Sequence, residues 1–141
     1  MNARLLFVLL FVGCATGPQY LTSPERAALN LPYSDAVRVG NILFLSGAIG
    51  TPPGTRQVVP GGIVPETRQV LDNIKRNLEA NGSSLDRVVK CTVMLADIGD
   101  FEAMNGVYRQ YFPSNKPARS TFGVSGLALG ARVEIECIAM R

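Results

Sequence analysis

Apolar residues follow two different periods along this chain. Ala36-Val37-Arg38-Val39 and Ile42-Leu43-Phe44-Leu45 read as strands on either side of Gly40-Asn41, a dipeptide suited to a tight hairpin turn. Ser46-Gly47-Ala48 ends the second strand, Thr51-Pro52-Pro53-Gly54-Thr55 is a loop, and Gln57-Val58-Val59 is expected as a short edge strand. The period then lengthens. From Pro65 or Glu66 to Asn81, Val70, Leu71, Ile74 and Leu78 fall on one helical face, and Gly82 stands where a helix end favours a left-handed residue. Arg87 to Leu95 alternates again, with Val89, Cys91, Val93 and Leu95 on one side. A second helix is expected from Asp100, as N-cap, to Phe112, where Pro113 stops it; Phe101, Met104, Val107 and Tyr111 form its buried face. Thr121 to Val124 reads as a short strand and Ala131 to Met140 as a long final one.

Strands, helix, strand, helix, strands in that order predict an α+β fold, with two helices packed on one face of a sheet. The other face is either polar or covered by another copy of the chain. Residues 18–32 are polar and proline-punctuated and read as a linker, which leaves residues 33–141 as the domain.

Residues 1–17 follow neither period. A single positive charge at Arg4 precedes an unbroken apolar run from Leu5 to Val12, then Gly13 and Cys14. That layout is the layout of a secretory signal, and the run is shorter than the roughly 20 residues a helix needs to span a bilayer. Phe11-Val12-Gly13-Cys14 resembles a bacterial lipobox, with Phe where Leu is usual, which makes Cys14 the candidate lipidation site and membrane tether. The expectation is an exported protein, periplasmic or membrane-anchored. If the segment is instead an apolar first strand, the protein is cytoplasmic. Export would carry Cys91 and Cys137 into an oxidising compartment, although their apolar strand surroundings suit buried free thiols.

Composition narrows the chemistry. Apolar residues make up 47% and charged residues 18% of the 141, enough for one folded core and too apolar for a disordered chain. The net charge of +3, from 14 basic and 11 acidic residues with no basic run, argues against a nucleic-acid partner. There is no histidine, which removes a Ser-His-Asp triad, a Cys-His dyad and nearly every transition-metal site. Proton transfer near neutral pH then falls to a carboxylate, a tyrosine, a lysine or water.

Two positions stand out against this background. Arg119 follows Pro117-Ala118 at the start of a strand, and Glu134 and Glu136 punctuate the last one. Alternation turns both glutamates away from the helix-covered face, beside Ile138 and Met140. On pattern alone, solvated charges on an open sheet face explain them as well as a cleft does.

Tyr33-Ser34, Gly40-Asn41-Ile42-Leu43-Phe44-Leu45-Ser46-Gly47, Asn73-Ile74, Pro117-Ala118-Arg119-Ser120-Thr121 and Val133-Glu134-Ile135-Glu136 resemble, in order and spacing, the RidA (YjgF) family of enamine/imine deaminases. The resemblance runs from Tyr33 to Arg141. It implies a chorismate-mutase-like α+β fold assembled as a homotrimer, with sites in clefts between subunits. It also implies hydrolysis of short 2-imino or 2-enamino acids to 2-oxo acids and ammonia, with no metal or organic cofactor.

Carried over by motif position, Arg119 would pair bidentately with the substrate carboxylate, and Glu134 would position and activate the attacking water. Tyr33, Ser46, Gly47, Asn105 and Thr121 would line the pocket, with Gly47 allowing close backbone approach. Thr121 stands where many relatives have Cys, and Ala48 where Gln usually follows Ser-Gly. Two other readings remain: a trimer that binds small carboxylates without turning them over, and a ribonuclease or translation inhibitor.

Overall fold

Alternation along the last strand decides the architecture. Val133, Ile135, Cys137 and Ala139 are buried and Glu134, Glu136, Ile138 and Met140 are not, so one side of the strand faces a core and the other does not. The computed structural model describes residues 17–141, so the apolar leader and Cys14 lie outside the described residues. Its strands are β1 (Gln19–Leu21), β2 (Ala36–Val39), β3 (Ile42–Leu45), β4 (Ala48–Ile49), β5 (Val88–Leu95), β6 (Ala118–Gly123) and β7 (Val133–Met140); its helices are α1 (Pro24–Ala27), α2 (Ile63–Ala80) and α3 (Phe101–Tyr111).

The seven strands form one sheet in the order β1-β2-β3-β7-β5-β6, with β4 also on β7. All pairs are antiparallel except β5 with β6. Those two are parallel because α3 lies between them as a crossover. Val70, Leu71, Ile74 and Leu78 of α2 and Met104, Val107 and Tyr108 of α3 share one core with the inward residues of β5 and β7. The expected α+β layer, with both long helices on one face, is what forms.

Several boundaries differ from expectation. Residues 18–32 are not a simple linker: β1 pairs with β2, and α1 follows it. Gln57-Val58-Val59 is not a strand, and only Val59 N reaches the sheet's edge, donating to Gly50 O at 2.9 Å. Helix α2 starts at Ile63, two residues before Pro65, because a proline in the first turn has no intrahelical N–H bond to lose. Asp100 precedes α3 without capping it through its side chain; the carboxylate is taken by Arg132, with Oδ2 2.8 Å from Nη2. Tyr108, not Tyr111, completes the buried face of α3.

Cys91 and Cys137 are joined by a disulfide rather than left as free thiols. The cause is register: β5 and β7 place them directly opposite, with Cα atoms 4.1 Å apart. Neither strand alone reveals that pairing.

The strand edge facing β7 is interrupted. Between the pairs Phe44–Ile138 and Ala48–Ile135 the chain advances four positions on the β3–β4 side and three on β7. One residue too many in one strand is a β-bulge, a device that re-aims side chains. Its residues are Leu45, Ser46 and Gly47.

Candidate functional site: two half-sites on opposite faces of the sheet

The bulge sets up the first group. Glu134 pairs with Ile49 across β4 and β7, on the face that α2 and α3 leave uncovered, and its side chain lies across Gly47. A Cβ at position 47 would fall within 2.9 Å of Glu134 Cδ and closer still to Oε1. A side chain at position 47 would therefore displace the Glu134 carboxyl from this place, a role for Gly47 different from the expected approach of backbone to ligand. Half-burial holds the Glu134 carboxyl above the usual carboxylate range, and the neighbouring Glu136 charge pushes it the same way.

Ser46 fastens the next segment. Its hydroxyl donates to Ser34 O at 2.7 Å and its N–H to Asp35 O at 3.1 Å. Asn77 Nδ2 donates to the same Asp35 carbonyl at 3.0 Å. The hydroxyl of Ser46 is thus engaged with backbone, and what it does is hold Tyr33-Ser34-Asp35 beside the bulge. Tyr33 itself is 49% exposed, with its hydroxyl accepting from Arg26 Nη2 at 3.3 Å. Arg26 in turn forms an ion pair with Asp35, a pair that nothing in the sequence pattern singled out. Asn73 clamps the far end of β4, donating from Nδ2 to Ile49 O at 3.1 Å and Thr51 O at 2.8 Å.

The second group lies on the helix-covered face. Arg119 is in parallel register with Cys91, and Thr121 with Val93, and both partners are fully buried beneath the helices. The Arg119 guanidinium stands over the ring of Tyr108, 4.6 Å from its centroid, with the Phe101 ring at 5.7 Å. Asn105 is half-buried on the same helical stripe, four residues after Phe101 and three before Tyr108. Among the described residues no carboxylate lies within ion-pair reach of Arg119.

One chain therefore does not bring Arg119 and Glu134 together. They point to opposite sides of the sheet, and β5 separates their strands, which alone is roughly 10 Å. Two surface hollows, of about 330 Å³ beside Arg26 and Tyr33 and about 140 Å³ between Phe44, Lys90 and Glu136, include neither residue. Sequence reasoning missed Tyr108 and the Arg26–Asp35 pair. Tyr108 was detectable as one more apolar position at helical spacing; Arg26 lay in what read as linker.

A single sheet with both long helices on one side is the fold of a known class. The family model described as Endoribonuclease L-PSP matches residues 24–141. The chain belongs to this family, also called RidA or YjgF. A goat protein named 2-iminobutanoate/2-iminopropanoate deaminase is 51% identical over 120 residues, covering 85% of this chain and 87% of its own length. The chloroplastic Reactive Intermediate Deaminase A of Arabidopsis thaliana is 43% identical over 134 residues, covering 94% of this chain and 72% of its own. Among solved structures, the yeast protein YEO7 superposes with a TM-score of 0.82 at 44% identity, covering 89% of this chain and 99% of its own.

Proposed function

We propose that the protein is a hydrolytic deaminase of short 2-imino and 2-enamino acids, working as a homotrimer in which Arg119 of one subunit and Glu134 of the next complete each site. The observation that carries this reading is a half-buried guanidinium with no carboxylate partner among the described residues, which leaves its two-pronged face for the carboxylate of a ligand. A relative named 2-iminobutanoate/2-iminopropanoate deaminase at 51% identity supports the choice of substrate, and one named Reactive Intermediate Deaminase A at 43% supports the deaminase activity. The opposite facing of the two groups supports the subunit boundary as the place where they meet.

The chemistry follows from the charges. Arg119 holds the carboxylate and fixes the imine carbon in place. Ionised Glu134 accepts a proton as water adds to that carbon, giving a carbinolamine. The imine reacts as its protonated iminium, so the carbinolamine is neutral. The Glu134 carboxyl then gives its proton to the nitrogen, and the carboxylate so formed takes the hydroxyl proton as the C–N bond breaks, releasing ammonia and leaving a 2-oxo acid. Arg119 stays cationic throughout and takes no proton.

To test this, 2-iminobutanoate or 2-iminopropanoate is generated by an amino-acid oxidase and 2-oxo acid release is followed. Wild-type protein no faster than buffer, while still binding 2-oxobutanoate, would instead support the reading as a carboxylate-binding trimer.

Localisation is a separate proposal: export with lipidation at Cys14. The layout of residues 1–17 supports it, and so does a disulfide, a bond typical of oxidising compartments. Cys14→Ser is expected to leave an unprocessed precursor without lipid label; a soluble wild-type protein beginning at Met1 would refute it.

A further inference from the structure

Among the described residues no acid pairs with the half-buried Arg119, so its long side chain is held in one orientation by something else. A free arginine loses side-chain entropy when fixed, and an unfixed one binds a carboxylate at that cost. The surroundings of the guanidinium are aromatic. Phe112, 3% exposed, packs against Tyr108, 7% exposed, with ring centroids 4.7 Å apart and planes inclined by 38°. The Tyr108 ring then lies beneath the guanidinium at 4.6 Å, and Phe101 flanks it at 5.7 Å. The column runs from the hydrophobic core to the cation.

We propose that Tyr108, backed by Phe112 and flanked by Phe101, is the positioning residue for Arg119: its ring fixes the plane of the guanidinium before ligand arrives, and so sets affinity for the substrate carboxylate. The proposal rests on the deaminase reading only for what the carboxylate belongs to.

Two further observations separate the ring from its hydroxyl. The Tyr108 hydroxyl and the Thr121 hydroxyl are both buried without a hydrogen-bond partner among the described residues. Burial raises the Tyr108 phenol to about 12, with Arg119 pulling the other way, so the phenol stays neutral and the contact is cation to ring rather than an ion pair. An orphaned buried hydroxyl gives nothing to the fold. The ring is the functional part.

The test compares Tyr108→Phe, which keeps the ring, with Tyr108→Leu, which removes it, and Phe101→Leu, which trims only the half-buried flank. Two readouts are taken: the ring-current shift of the Arg119 side-chain NMR signals, and KM and kcat for 2-iminobutanoate. Tyr108→Phe is expected to keep the shift and the KM. Tyr108→Leu is expected to lose the shift and raise KM about tenfold, equivalent to about 1.4 kcal/mol, with kcat changed far less, as suits a partly desolvated cation–ring contact. Phe101→Leu should show the same pattern more weakly in a well-folded protein. Arg119 signals unchanged in Tyr108→Leu, or a Tyr108→Phe variant as impaired as Tyr108→Leu, would overturn the inference. Absence of turnover in the wild type would remove the deaminase reading, while the NMR shift still decides whether the ring orients the cation.

Discussion

The two faces of the sheet treat charge in opposite ways. On the helix-covered face, Arg119 is set against aromatic rings, which attract a cation without neutralising it. On the other face, Glu134 is half-buried beside a second glutamate, and both effects strengthen its hold on a proton. The first environment preserves a constant charge and the second makes a charge easy to remove. A binding group and a proton-transfer group need those contrasting environments. The supports differ as well: packed core beneath Arg119, a bulge and a tied-down loop around Glu134.

The sharpest break of this comparison is to destroy each face in a different subunit. Arg119→Ala and Glu134→Gln should each lose about 10²-fold or more in kcat/KM, limited by uncatalysed hydrolysis. Co-expressed in equal amounts, the two inactive chains should recover about a quarter of wild-type activity, because one boundary in four unites an intact arginine with an intact glutamate. No recovery in mixed trimers verified by mass spectrometry would place both residues in the same chain's site and refute the arrangement proposed above.

Gly47→Ala disturbs the glutamate face alone. The new Cβ occupies space held by the carboxylate, so Glu134 must turn aside. Because misplacing a reacting group by an ångström can cost about 10²-fold, kcat should fall by a comparable factor, while binding of 2-oxobutanoate through Arg119 should weaken little. A variant with wild-type kcat would show that the carboxylate has no fixed place.

Which parts of this contrast were visible beforehand follows from range of interaction. Periodicity located β2, β3, β5, α2, α3 and β7, because alternation and helical spacing are local properties of the chain. Arg119 and Glu134 emerged from motif resemblance, and the outward aim of Glu134 from alternation. The inward aim of Arg119 was hidden, since it depends on a parallel register with β5 that only the α3 crossover fixes. The role of Gly47 was hidden for the same kind of reason: a one-residue slip against β7 cannot be seen in either strand. So too was β1, a short edge strand whose neighbours are a proline and a polar segment.

The disulfide belongs to the helix-covered face and bridges the strands behind Arg119. It closes a separation of 46 residues, for which chain-entropy reasoning gives about 4 kcal/mol, at the top of the typical range of about 2–4 kcal/mol. Cys91→Ala with Cys137→Ala should lower denaturant stability by that amount and abolish the effect of added dithiothreitol. Protein from an oxidising compartment whose mass does not change on reduction would show that the thiols remain free.

The smallest expected effect is the most specific to the glutamate face. Glu134 has its proton affinity raised first by burial and second by Glu136. Since it must be ionised to accept a proton from water, the acid limb of the kcat/KM profile should lie above the ordinary carboxylate range. Glu136→Gln removes only the second cause, so the limb should move to lower pH without reaching the ordinary range. Stability runs the other way. A carboxyl whose folded-state affinity is raised binds its proton more tightly in the native chain, so its contribution to stability is present at acid pH and lost as pH rises through the folded-state value. Glu134→Gln should accordingly unfold at higher denaturant than wild type at neutral pH, with the gain fading below the ordinary carboxylate range. Equal stability at both pH values would mean that burial does not raise the carboxyl in the assembled protein.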